Sequence, residues 1–368
     1  MGAFVCLELA RRKLSVLGLD QFTPPHGRGS HSGATRIFRV AYAEHPDYVP
    51  LAQRAGLLWD RLGEKHGSAL LHRTGMLSIG EEDSAVISGI RASAAAHHLP
   101  IENLTIEQIR SRYPAFAPAA GSVGLFDPSA GWIDVDPTLR FVLEQAAREG
   151  AQLRLDTRVS GWEANGREFL IHTETETFRA RRLIITAGVW AGRLLADLRL
   201  PLKVLRRVMI WVDPIRPEMF SQAALPVFAF AEKFFYGFPA IRDHGVKLAI
   251  HWGEASSAGE IDAPQPEPTG EEIEPVLEIA ARLIPSLAGS LPGARNRLLG
   301  AKTCLYALTP DEHFFVDRHP RIENVCFAAG FSGHGFKFAP AIGEALAQMS
   351  MNIATTSPID FLGIHRRA

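Results

Sequence analysis

Residues 2 to 20 restrict the fold more than any other segment. Gly2 to Ala10 place Val5, Cys6, Leu9 and Ala10 on one helical face. The apolar run Leu14 to Leu19 then reads as a buried strand ending in Asp20. Helix, tight turn, strand and terminal acid form the second half of a dinucleotide-binding βαβ unit. In that unit an acid about 20 residues past the glycines accepts from a ribose hydroxyl. Asp20 stands 18 positions after Gly2, while the preceding strand and the first two glycines of GxGxxG are not in the sequence. The expectation is a start codon assigned downstream of the native one, leaving the chain roughly a dozen residues short of a full unit. A signal peptide does not fit, because Arg11-Arg12-Lys13 follow the apolar stretch instead of preceding it.

At 368 residues the chain suits two domains, or one large domain carrying an insertion. A hydrophobic share of 46% against 21% charged residues supports a substantial core. Basic and acidic side chains nearly balance, 39 against 40. That excludes a generally basic nucleic-acid binder and gives no broad field for an anionic membrane. No apolar run approaches the roughly 20 residues of a membrane span. Cys6, Cys304 and Cys326 are too scattered for a disulfide framework, and no CxxC pair points to zinc. The expectation is a cytoplasmic, monomeric enzyme with no nucleic-acid or membrane partner.

Further along, Thr23 to Thr35 reads as an ordered loop and Pro50 to Glu64 as a helix. Gly75 to Ile79 reads as a strand, Glu81 to His98 as a mostly surface helix, and Pro137 to Glu149 as a helix capped by Asp136. Strands are expected at 152–155 and 158–162, with a hairpin from Phe169 to Arg179. Leu183 to Ile185, the small-residue turn Thr186-Ala187-Gly188 and a helix from Val189 to Leu195 form a second place where backbone can approach a nucleotide closely. Antiparallel strands dominate from Val204 to His251, and Glu254 to Thr269 reads as a solvated loop before a helix from Glu271 to Leu283. Strands follow around 302–306, 314–316 and 325–329, and Pro340 to Met349 closes as a helix. Nucleotide-binding pieces therefore sit at both ends and in the middle, which points to a discontinuous nucleotide domain with a second domain inserted into it.

Several residues invite chemistry, and each also has an ordinary reading. Gly330-Phe331-Ser332-Gly333-His334-Gly335-Phe336-Lys337, between a strand and a helix, lets a ligand lie against backbone and near a helix N-terminus. Arg36 and Arg39 either share one helical face or diverge, and a guanidinium matches a carboxylate with two N–H donors. By alternation Lys247 in Val246-Lys247-Leu248-Ala249-Ile250 reads as solvent-facing, unless it points into a cleft; His251 shares its facing. Cys304 and Tyr306 share a strand face, where a lone cysteine ordinarily acts as a small buried hydrophobe. Tyr236, within Phe234-Phe235-Tyr236-Gly237-Phe238-Pro239, either packs in a core or lines an apolar pocket.

Taken together, the blocks carry a resemblance. Pro24-Pro25-His26, Gly29 to Gly33 with Thr35 to Arg39, Tyr48 to Leu51, Tyr236 to Pro239, Lys247 with His251, Cys304-Leu305-Tyr306, Pro310 to Phe314 and Gly330 to Phe338 occur in one order over nearly the whole chain. In these the chain resembles the monomeric sarcosine oxidase and N-methyl-L-tryptophan oxidase family of flavin amine oxidases. The resemblance implies an α/β plus α+β chain. Its Rossmann-like FAD-binding domain, first strand absent, is built from residues 1–75, 135–203 and 305–368. A mainly antiparallel substrate domain of 76–134 and 204–304 is inserted into it.

The resemblance also implies roles. Cys304 matches the cysteine that holds FAD covalently, Arg39 and Lys337 the cationic pair for a substrate carboxylate, Arg36 a basic residue beside the flavin, and Lys247 the lysine of oxygen activation. Tyr236, His251 and Tyr306 match pocket-lining residues, with His251 grouped with Lys247 and Arg36 as catalytic. Asp20 matches the ribose ligand and Val159 a backbone contact to adenine. Gly2, Ser30, Thr35, Gly188, Gly333, His334, Gly335 and Lys337 complete the implied cofactor contacts. The implied reaction is oxidation of a secondary, N-methyl or cyclic, α-amino acid, with dioxygen reduced to hydrogen peroxide. The alternatives are a pipecolate- or fructosyl-amino-acid-type amine oxidase, or a flavin-deficient relative that serves as a binding protein.

Overall fold

The apolar segments settle where the layers lie in the computed structural model, which describes residues 1–253 and 256–366. Helix Gly2–Arg11 buries Phe4, Val5, Cys6, Leu7 and Ala10 against helices Val135–Arg148 and Ala339–Ser350. Every residue of Ala339–Ser350 is buried, as its nearly unbroken run of small and apolar side chains requires of a central helix. The approach is so close that a Cβ added at Gly343 would meet Phe4 Cβ at 2.6 Å.

Strand Leu17–Leu19 pairs parallel with Gln152–Arg154, and Asp20 follows it directly. It is shorter than the Leu14–Leu19 run implies. Lys13 takes a positive φ, and Leu14 N–H donates back to Leu9 O at 3.2 Å, so residues 12–14 complete the helix end. The fully buried strand Val325–Ala329 sits between Leu183–Ile185, parallel, and Phe315–Arg318, antiparallel. The predicted hairpin is present as Glu168–Thr173 against Thr177–Ala180, with Val159–Asn165 on its other side.

Among the described residues, a nine-stranded sheet forms the other half of the molecule. It is antiparallel from Lys203–Val212 through Val246–Ile250, Phe235–Phe238 and Val227–Phe230, as the sequence implies. There it joins Met76–Glu81 in parallel, and Ser122–Asp127 and Glu102–Leu104 extend it. Leu298–Leu308 flanks Lys203–Val212 over ten register pairs.

Three local expectations are corrected, and the open choice for Arg36 and Arg39 is decided. Helix Val135–Arg148 begins before Pro137, with Asp134 at its cap position; the Asp134 carboxylate is taken by His72 and Arg242, and Asp136 lies in the first turn, where its charge suits the helix dipole. The Glu81–His98 segment starts its helix only at Ala85, because Glu81 is still strand and Ser84 caps by accepting from Ile87 N–H. Val189–Leu195 is a 3₁₀ turn, Gly188–Trp190, followed by a single α-turn, Ala191–Leu194. Arg36 lies in a strand, Thr35–Phe38, paired with Gly131–Asp134, so Arg36 and Arg39 diverge. Within the expected 254–269 loop, Glu254 and Ala255 lie outside the described residues. The helix after it, Gly270–Leu283, starts at a reciprocal Thr269–Glu272 capping box.

Candidate active site

A cleft of about 1660 Å³ opens between these layers. Gly2, Asp20, Ser30, Arg36, Val159, Gly188, Gly333 and Gly335 all line it. Helix Gly2–Arg11 presents its first residues to the cleft, placing backbone N–H groups where an anion is favoured. Gly188 has φ +55 and nothing within 4 Å of an added Cβ, so its backbone borders open space. Asp20 Oδ1 accepts from Phe22 N–H at 3.1 Å, and burial pushes the carboxyl pKa up against that bond. An acid, bare glycine backbone and a helix N-terminus around one elongated cleft fit a dinucleotide such as FAD. At the rim, Asp262 accepts from Arg193, from Trp190 Nε1 at 2.8 Å and from Arg158 at 3.2 Å, tying its loop to the cleft mouth.

Deeper in, the ladder of the two long strands sets Cys304 opposite Arg207. Cys304 and Tyr306 are buried with Leu205, Met209 and Ala249. Burial raises the Cys304 thiol pKa, while Arg36, Lys247 and Arg207 act in the opposite direction. Lys247 is buried, not solvent-facing as alternation implies, because the 33–35 loop covers its face of the sheet. Its Nζ donates to Gly33 O at 2.7 Å, Thr35 O at 2.9 Å and Thr35 Oγ1 at 3.2 Å. Burial, with Arg36 adding repulsion, holds the Lys247 pKa well below the usual lysine range. Arg36 donates to Ser30 O at 2.7 Å, to Ser32 O and to Thr35 O at 2.8 Å, which pins the same loop.

A second cluster brings together residues nearly 300 positions apart. Lys337 Nζ donates to His334 O at 2.7 Å and to Tyr42 Oη at 3.2 Å. Arg39 pairs with Glu44, and both are buried. Among the described residues Arg39 Nη1 and Glu44 Oε2 nevertheless have no hydrogen-bond partner. Burial and the Arg39 charge pull the Lys337 pKa well down. Burial opposes ionisation of Glu44, yet Arg39, His334 and Lys337 together leave its pKa below the usual range. His251 Nδ1 lies 3.2 Å from Tyr306 Oη, and burial, reinforced by Arg39, Arg207 and Lys337 against Glu44, lowers the His251 pKa to about 3. Tyr236, packed beside Tyr306, is pushed up to about 12 by burial. Thr35, His334 and Lys337, expected at the cofactor, lie in this inner layer: Thr35 on Lys247, and His334 and Lys337 on Tyr42.

Sequence reasoning missed Tyr42, Glu44, Arg207 and Glu312. Tyr42 and Glu44 follow Arg39 in Arg39-Val40-Ala41-Tyr42-Ala43-Glu44, so polar residues within an apolar run were the available signal. Glu312 accepts from Trp252 Nε1 at 3.1 Å, and Arg207 donates to Gly253 O at 2.9 Å. Among the described residues no cluster of ligating side chains suits a metal, and no helix is long and apolar enough to cross a membrane.

Comparison with known proteins shows the family and the fold. A family profile described as FAD dependent oxidoreductase matches residues 1–349. Monomeric sarcosine oxidase of Streptomyces avermitilis is 35% identical over 379 aligned positions, covering all of this chain and 95% of the relative. N-methyl-L-tryptophan oxidase of Yersinia pestis is 34% identical over 351 positions, covering 94% of this chain and 91% of the relative. Among solved structures, NikD, described as an unusual amino acid oxidase essential for nikkomycin biosynthesis, superposes with a TM-score of 0.83 at 23% identity. That likeness covers 98% of this chain and 94% of NikD, and it bears on the fold.

Proposed function

Because the chain belongs to the FAD-dependent oxidoreductases, with monomeric sarcosine oxidase and N-methyl-L-tryptophan oxidase among its relatives, and acts on CH–NH groups, we propose that it oxidises secondary α-amino acids at the expense of dioxygen. The observation that carries this reading is Arg39 Nη1, a buried guanidinium nitrogen with no partner among the described residues, on the same tyrosine, Tyr42, that Lys337 contacts. With Nη2 held by Glu44, the buried Nη1 donor still calls for an acceptor, and a carboxylate oxygen answers a guanidinium N–H in shape and polarity.

FAD, when bound, supplies the acceptor for the two electrons and the hydrogen of the substrate C–H bond and returns them to dioxygen. Gly2, Asp20, Val159, Gly188 and Gly333 would hold it along the cleft, with Cys304 as the point of covalent attachment. Residues 1–75, 135–203 and 305–368 would form this FAD-binding part, and 76–134 with 204–304 the substrate part. Arg39 and Lys337 hold the substrate carboxylate. Their positive field also favours the neutral amine over the ammonium, and C–H cleavage requires the neutral amine. His251, neutral down to about pH 3, meets the substrate as a hydrogen-bonding and packing surface alongside Tyr306 and Tyr236. Lys247, desolvated beside Cys304, places a cationic group where a reduced oxygen species would gather charge. An imine product is released to hydrolysis, which for an N-methyl substrate gives formaldehyde and the free amino acid.

The test is a peroxide-coupled assay on the holoenzyme with N-methyl and cyclic amino acids, each beside its carboxamide. Acids are expected to be oxidised and amides to fail; equal rates for both would remove the carboxylate reading. Acid precipitation addresses the cofactor bond. Flavin is expected to stay with the wild-type pellet and to be lost from C304A, and free flavin in the wild-type supernatant would refute attachment.

A further inference from the structure

Tyr42 is fully buried, and it touches both cations of the carboxylate pocket. The Arg39 guanidinium lies 3.9 Å from its ring centroid. Lys337 Nζ donates to its hydroxyl at 3.2 Å, and that hydroxyl lies 2.6 Å from His334 Nδ1. The acceptors along this run of hydrogen bonds set the direction of its protons. His334 Nε2 is 3.0 Å from Glu312 O, a carbonyl that can only accept, so Nε2 carries the proton. His334 is buried and neutral, so its Nδ1 is bare and accepts from the Tyr42 O–H. The lone pairs of Tyr42 Oη are then left for Lys337. With the other bond, to His334 O, two of the three ammonium protons are committed and the third is aimed by default.

The ring is fixed as firmly as the hydroxyl. Tyr48, Phe338 and His334 lie 4.6, 5.4 and 5.7 Å from it, centroid to centroid, and its backbone carbonyl accepts from the buried Ser93 hydroxyl. Trp59 Nε1 holds Lys337 O at 2.7 Å, so the lysine backbone cannot drift to compensate for a lost side-chain contact. We infer that Tyr42 is the positioning residue of the carboxylate pocket, setting the direction of the free Lys337 proton through its hydroxyl and the plane of Arg39 through its ring. This rests on the carboxylate reading above, and Tyr42 itself need not touch the substrate.

The test uses the flavin-loaded enzyme and titrates propionate and the neutral, nearly isosteric propionamide, read by the change in flavin absorbance. Y42F keeps the ring and removes only the hydroxyl. It is expected to weaken propionate about tenfold, the worth of a hydrogen bond to a charged group, and propionamide by less than about twofold. In a K337M background the same substitution is expected to add less than about twofold, since its effect passes through the lysine. Equal weakening of both ligands, no weakening of propionate, or an undiminished effect in the K337M background overturns the proposal. If K337M alone leaves propionate binding unchanged, the carboxylate reading falls; if K337M weakens propionate and Y42F does not, only the role of Tyr42 falls. Should Y42F fail to fold, H334A removes the acceptor that orients the hydroxyl, and the same selective tenfold loss is expected; a loss shared by the amide overturns the assignment.

Discussion

Gly333 carries the sharpest steric prediction. Its φ is +80, and a Cβ placed on it would stand 2.1, 2.3 and 2.5 Å from Tyr306 Cε2, Cζ and Cδ2. Reaching ordinary contact at 3.4 Å requires the ring to retreat by about 1.3 Å. The ring is boxed in by Leu205, Met209, Ala249 and Cys304, so that space must be forced. Overpacking costs about 1–3 kcal/mol, the left-handed backbone about 1–2 kcal/mol for a residue with a Cβ, and the lost contact to His251 Nδ1 about 1 kcal/mol. G333A is therefore expected to destabilise the flavin-loaded protein by roughly 3–6 kcal/mol, a large part of a typical folding free energy. Chemical denaturation followed by far-UV circular dichroism measures it. Repeating the substitution in a Y306A background separates the causes: with the ring gone, only the backbone part of about 1–2 kcal/mol should remain. A penalty below about 1 kcal/mol, or one undiminished in Y306A, would refute the steric reasoning.

Other outcomes follow from the same geometry. E44Q leaves the Arg39 guanidinium buried without its counter-charge and should cost about 3–5 kcal/mol of stability. A carboxylate ligand then supplies the missing anion, so the rise in Tm on adding propionate should be larger in E44Q than in the wild type; a smaller rise contradicts the pairing. Lys337 binds a carboxylate in its protonated form, and burial and Arg39 lower its pKa, so affinity is full once the ligand carboxyl is ionised and is lost as pH rises through a value below the usual 10.5. His251, with a pKa near 3, contributes no inflection between pH 5 and 8; a limb near pH 6.5 in the binding profile that disappears in H251N would contradict this. D20A removes the acid of the ribose-binding position and should weaken FAD binding to flavin-free protein about 10- to 100-fold, as read by flavin fluorescence quenching.

The order of elements was legible wherever one face or a whole run is apolar. Val325 to Ala329 is strand at both ends as read, and Gly2 to Arg11 is helix, because burial and periodicity point the same way there. Lys247 was misplaced by the period-two rule, since that rule assigns alternate faces without knowing that the 33–35 loop closes over one of them. Asp136 looked like a cap because proline follows it, but the cap position fell to Asp134, which the distant side chains of His72 and Arg242 claim. Tyr42 and Glu44 were invisible for a related reason. Their importance arises only when Lys337, His334 and Arg39 converge on them, and no local pattern encodes that convergence.

The contact between helices Gly2–Arg11 and Ala339–Ser350 has a consequence for biosynthesis. The cleft is lined from Gly2 at one end of the sequence to Gly335 near the other, and the helix behind Gly335 is the one that Phe4 packs against through Gly343. A ribosome adds about 5–20 residues per second, so the apolar face of Gly2–Arg11 waits tens of seconds for its partner. During that interval helix Val135–Arg148 covers only its own part of that face, and Phe4 lacks the Gly343 surface it packs against, an exposure of apolar surface that favours aggregation of a nascent chain. The cleft that Gly2 and Gly335 line is accordingly complete only once the distal helix has left the ribosome and docked.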